Sequence, residues 1–171
     1  MKKVLSILFA AVMMISCLAV SASAQTIGMP NPFQSAKTME DAGRIAGFSM
    51  TAPDSFQEYR KDDIEAVQND MIQVIYHDSN RNELRIRKAK GLVNKLDGDY
   101  NEYDTTKCLW SRKTGLISTR GDYLLLGTQD TNADNYTIRV ATWFHHGFTY
   151  SVTCDMGLSQ QELMNLTKQI G

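Results

Sequence analysis

Three histidines and three cysteines are the residues of this chain best suited to catalysis or metal binding. His145 and His146 are adjacent, so on a strand they point to opposite faces and cannot hold one ion together. His77 is distant in sequence, and no Cys or carboxylate stands at zinc-ligand spacing from any of them, which leaves turn histidines. Asp97-Gly98-Asp99-Tyr100-Asn101 opens like a calcium loop. Its sixth position, where the motif needs Gly, is Glu102, and its twelfth, where it needs Glu, is Cys108. Asp130-Thr131-Asn132-Ala133-Asp134 fails likewise, with Ala141 at the twelfth place. Both runs fit turns, since Asp and Asn side chains bond nearby backbone. A serine nucleophile on a strand-to-helix elbow needs Gly-x-Ser-x-Gly, and Gly115, Ser118 and Gly121 have the wrong spacing. A cysteine nucleophile needs an exposed thiolate, whereas Cys154 alternates with Phe148, Tyr150 and Val152 on an apolar face. No phosphate-binding glycine loop is present. The expected class is non-enzymatic, with no catalytic residue, no cofactor and no metal.

Binding residues are easier to nominate. Arg81, Arg85, Arg87, Lys88, Lys90 and Lys95 form a basic stretch in which Arg85 and Arg87 share one strand face. They could grip phosphate or a partner's carboxylates, or pair with Asp97, Asp99, Glu102 and Asp104 on the next segment. Tyr100 and Tyr103 could line a pocket together with Trp110, Trp143 and Tyr150, although strand aromatics also serve as core. The candidate ligand-binding set is Arg85, Arg87, Tyr100 and Tyr103.

The elements that would position these residues follow from spacing. Thr38 can cap a short helix carrying Met39, Ala42, Ile45 and Ala46 on one face, and Gly47 suits the position past its end. Strand patterns occupy Met71–His77, Glu83–Ala89, Thr105–Arg112, Leu116–Arg120, Tyr136–Phe144 and Phe148–Cys154, with a brief apolar stretch at Tyr123–Leu126. Lys113-Thr114-Gly115 and His145-His146-Gly147 are hairpin turns. Ser159-Gln160-Gln161-Glu162 is a capping box opening a last helix, with Leu163, Leu166 and Ile170 facing inward. The expectation is an α+β domain over residues 38–171. Its antiparallel meander of about six strands has a short N-terminal helix and a C-terminal helix covering one face, which leaves the other face free to bind.

Ahead of this domain, residues 1–24 read as a secretory signal. Lys2 and Lys3 precede the apolar run Val4–Val20, and Ala22-Ser23-Ala24 places cleavage between Ala24 and Gln25. Lipidation at Cys17 and an uncleaved anchor are the competitors. Residues 25–37 read as a flexible lead. The whole chain has 171 residues with a formal net charge of -1; beyond residue 24 acidic groups exceed basic ones by three. That balance offers no bulk attraction to nucleic acid or an anionic membrane surface. Only Cys108 and Cys154 remain after cleavage, an even count in a compartment where disulfides persist. A bridge between them would stabilise by roughly 2–4 kcal/mol. Two buried free thiols are the alternative, because a plain meander need not bring those strands together.

Several stretches resemble, in order and spacing, the bacterial family described as domain of unknown function 4367. They are Val74-Ile75-Tyr76-His77-Asp78, Glu83-Leu84-Arg85-Ile86-Arg87-Lys88, Gly98-Asp99-Tyr100-Asn101-Glu102-Tyr103, Ser118-Thr119-Arg120-Gly121, Ala141-Thr142-Trp143, Tyr150-Ser151-Val152 and Gly157-Leu158-Ser159. The resemblance spans residues 38–170, with an insertion at Asp122–Asn135 and two cysteines where strand residues of other types are usual. It implies an exported or membrane-anchored envelope protein and assigns no catalytic residue. The expected function is a non-catalytic envelope module binding a protein, glycan or lipid ligand. A cell-wall hydrolase is the rival, and a lipid or lipoprotein carrier a further alternative.

Overall fold

The structure is a computed structural model that describes residues 31–123 and 136–171. The signal segment with Cys17, Ala24 and Gln25, the stretch 124–126 and the loop containing Asp130 lie outside the described residues. Pro32–Gly171 forms one compact unit.

Its elements in chain order begin with β1 (Gln34–Ala36), α1 (Met39–Ala46), β2 (Ser55–Phe56), β3 (Tyr59–Val67), β4 (Met71–His77) and β5 (Glu83–Lys90). There follow β6 (Thr105–Ser111), β7 (Gly115–Tyr123), β8 (Tyr136–His145), β9 (Phe148–Leu158) and α2 (Gln160–Thr167). Among the described residues, nine strands build one antiparallel sheet in the order β1-β3-β4-β5-β9-β8-β7-β6, with β2 hydrogen-bonded to β3. The α+β antiparallel class is as expected; the strand count of about six is corrected to nine. The missed strands precede Met71. β1 falls inside the expected lead, where three residues carry no pattern, so residues 34–36 pair with β3 instead of lying free. In β3 a bulge between Lys61 and Asp63 shifts the phase of a charged stretch and hides its alternation.

The simple meander is also corrected. β5 pairs with β9, so the chain leaves the sheet centre after Lys90 and re-enters at its far edge as β6. Thr105 at the start of β6 is opposite Gly121, at the end of the sheet away from Lys90 and Phe148. Residues 91–104 must therefore cross a sheet face from one end to the other.

Local chemistry explains the rest. The Thr38 hydroxyl accepts from the Asp41 amide at 3.1 Å, and Gly47 takes a left-handed φ of 76° past the helix end. Ser159 and Glu162 close a reciprocal capping box on α2. The His146-Gly147 turn has φ of 49° and 83°, the positive pair that a two-residue turn needs to match strand twist. Gly121 is required by close approach, because a Cβ there would stand 1.9 Å from the Thr137 carbonyl oxygen at the β7–β8 bulge.

Core residues alternate along the strands. Ile72, Val74 and Tyr76 pair in register with Lys88, Ile86 and Leu84, and these with Tyr150, Val152 and Cys154. This face packs against Ala42 and Ala46 of α1, Leu163 and Leu166 of α2, and Ile170 beyond it.

Candidate functional site

The sheet's opposite face was expected to be free to bind; it is covered instead by residues 91–104, which cross it as a strap. Arg87, Thr149 and Arg120 alternate away from the core, and each holds it. The Thr149 hydroxyl accepts from the Val93 amide and donates to the Gly91 carbonyl. Arg87 Nη1 donates to the carbonyls of Leu96 and Asp97, both at 2.8 Å, while its Nε donates to Gln73 at 2.6 Å. Arg120 Nη2 reaches the buried Asp97 carboxylate at 2.7 Å. Gly98 turns with φ of 68° over Arg87, where a Cβ would come within 2.8 Å of Nη1. Burial pulls the Arg87 guanidinium below its ordinary range, with neighbouring Arg85 adding to the effect. Its fixed donors are used internally, on backbone carbonyls and Gln73 rather than on the carboxylates of Asp97, Asp99, Glu102 or Asp104 with which the basic stretch was expected to pair.

Where the strap's end leaves the sheet, a cavity of about 280 Å³ opens, lined by Asp99, Asn101 and Tyr103 from the strap and Asp122, Arg139 and Asp155 from β7, β8 and β9. The Tyr103 hydroxyl donates to Asp99, and its ring lies 5.6 Å from the Arg120 guanidinium carbon. Burial and then the Asp99 carboxylate push the Tyr103 phenol up to about 12, so it stays a donor. Arg139 faces Asp122 at 3.4 Å, and Asp155 accepts from the Glu83 amide at 2.8 Å. Three carboxylates, an amide and one guanidinium thus converge on fixed backbone. Such a set both accepts from and donates to hydroxyls, and accepts from ammonium groups; neither histidine nor serine stands among its lining residues.

Of the nominated binding residues, Tyr103 enters the cavity and Arg87 acts beneath the strap. Arg85 pairs with Glu83 at 2.5 Å, and its buried Nε has no partner among the described residues. Tyr100 points outward with Lys95 4.5 Å above its ring. Asp122, Arg139 and Asp155 were missed; only their outward alternation marked them, a feature shared by every solvent-facing strand residue. His77 bonds Asp62 at 2.8 Å, and His145 and His146 meet edge to face at the hairpin end. Among the described residues, no three His, Cys, Asp or Glu side chains are grouped as a metal would need.

The Cys108–Cys154 bridge is corrected: both thiols are free. Cys108 lies on edge strand β6 and Cys154 on β9, three strand spacings away, or roughly 14 Å, where a disulfide needs Cα atoms within about 7 Å. They also face opposite sides. Cys154 Sγ is 3.4 Å from the Tyr59 hydroxyl in the core, while Cys108 follows Ser118 and Thr142 outward.

No family model matches the chain, and neither a curated protein nor a solved structure matches it significantly. Among the described residues, no helix is long and apolar enough to cross a membrane.

Proposed function

We propose that this chain is an exported, non-catalytic binding module of a bacterial cell envelope, whose strap cleft takes a hydroxyl-rich ligand of the glycan class. The observation that carries this is the convergence of Asp99 and Tyr103 of the strap with Asp122, Arg139 and Asp155 of the sheet in one cavity. Carboxylates and guanidinium groups recognise vicinal hydroxyls through paired hydrogen bonds, and held side chains lose little entropy on binding. The leader at residues 1–24 and the family resemblance support export. A lipid carrier would need room between sheet and helices, a space that Tyr59, Tyr76, Trp143, Tyr150, Leu163 and Leu166 fill.

The same convergence of carboxylates favours a second reading, a cell-wall hydrolase, since paired acids are the apparatus of glycoside cleavage. Calorimetric titration with cell-wall oligosaccharides separates the two. Saturable binding should weaken about tenfold in Asp122→Asn or Arg139→Gln, with the sugar recovered intact. Cleavage abolished in Asp155→Asn establishes the hydrolase, and no heat with any glycan removes this ligand class.

A further inference from the structure

The sheet ends at β6, whose outer backbone edge is unpaired among the described residues. Running inward from this edge, on the face away from the core, is an apolar row that the core does not use. Trp110, Leu116 and Phe144 lie side by side on β6, β7 and β8 and are 67%, 62% and 48% exposed. Exposed edges normally carry charges, bulges or covering segments that block pairing with another chain. Within Thr105–Ser111 the sole charge is Lys107, whose ammonium turns away to lie 4.2 Å above the Tyr136 ring.

We propose that β6 pairs antiparallel with β6 of a second copy of this chain, joining two sheets into one across a two-fold axis. The strand's own sequence selects this partner. Opposed residues in an antiparallel pair share a face, so a symmetric register must centre on a residue, and using all of Thr105–Ser111 centres it on Cys108. That register sets Asp104 opposite Arg112 of the second copy, twice by symmetry, and sets no like charges against each other. Both residues are exposed, and Arg112 has no partner among the described residues. It also sets Trp110 opposite Thr106, so each exposed indole gains a neighbour beyond the seam, and it brings the two Cys108 side chains together on one face. The ligand cleft plays no part in this pairing.

Sedimentation equilibrium of the purified protein beginning at Gln25, which lacks Cys17, tests it over a concentration series, with reversal of the seam charges as the decisive arm. The wild type should sediment as a reversible dimer. Asp104→Arg alone or Arg112→Asp alone should weaken the dimer about tenfold, because each opposes like charges, while the double reversal restores it. A short bis-maleimide should link two wild-type chains and fail with Cys108→Ser. A monomer at every concentration, or a dimer that neither single reversal weakens, overturns the proposal. A cooperative melt of every variant should show that each folds, with a small loss wherever Asp104 no longer accepts from the Tyr123 amide at 3.4 Å.

Discussion

At the scale of single residues, Cys108 and Cys154 lie on different strands and in opposite settings. Cys108 is exposed and Cys154 is buried, with burial raising the Cys154 thiol above its ordinary range. A thiol reagent should therefore modify one cysteine of the native mature protein and two after unfolding without reductant. Peptide mapping should find Cys108 as the fast site; a 108–154 linked peptide would contradict the sheet order. Lys88 is the other residue whose setting is unusual. It is only 6% exposed, donates to the Ser49 carbonyl at 2.7 Å, and lies 4.5 Å from the Phe148 ring centre and 5.3 Å from that of Tyr150. Desolvation lowers its pKa in the fold. Between that lowered value and the ordinary lysine range the unfolded chain binds more protons, so stability attributable to Lys88 rises with pH across this window. Urea midpoints from neutral pH upward should show the wild type gaining on Lys88→Met; parallel profiles would mean that the ammonium is solvated.

At the scale of elements, the strap from 91 to 104 governs the site. It has no regular structure of its own, so its path depends on donors from the sheet beneath it. Replacing Arg87 by Ala removes three hydrogen bonds and leaves the Leu96 and Asp97 carbonyls without that donor. The cost should be about 3 kcal/mol, read as a lower urea midpoint together with faster proteolysis inside 91–104. Gly98→Ala should loosen the same segment through its positive φ and the crowding of Arg87 Nη1, with weaker glycan binding and a smaller loss of global stability. Equal protease resistance in both variants would show that the strap is held by other contacts. The basic stretch was legible in sequence, but the ion pairs expected between it and Asp97, Asp99, Glu102 and Asp104 do not form among the described residues. That Arg87 would grip backbone carbonyls, leaving the Asp97 carboxylate to Arg120, was not legible, because residue 120 comes alongside only through the chain's return as β7.

At the scale of the whole molecule, export is the proposal that rests most directly on contiguous residues, those of the stretch 1–24. The protein recovered from the envelope or culture medium should begin at Gln25 by mass spectrometry, and a mature form starting at a lipidated Cys17 would overturn that expectation. Several signals read from neighbours in the chain agree with the structure: the Thr38 and Ser159 caps, the His146-Gly147 turn, and the common inward face of Tyr150, Val152 and Cys154 all depend on residues within a few positions. Capping, turn geometry and the strand repeat of two are local, so sequence alone determined them. Sequence also determined the fold class, because those local signals sum to strands flanked by two helices. Sheet order was decided only by the tertiary structure. The pairing of β5 with β9 joins residues such as Leu84 and Cys154, and it results from burying one continuous core rather than from any preference within either strand. From that one pairing follow the crossing of residues 91–104, the separation of the two cysteines, the cleft of Asp99, Asp122 and Asp155, and the open edge at β6. Long-range pairing is set by the free energy of the whole assembled interior, and no window of sequence contains it.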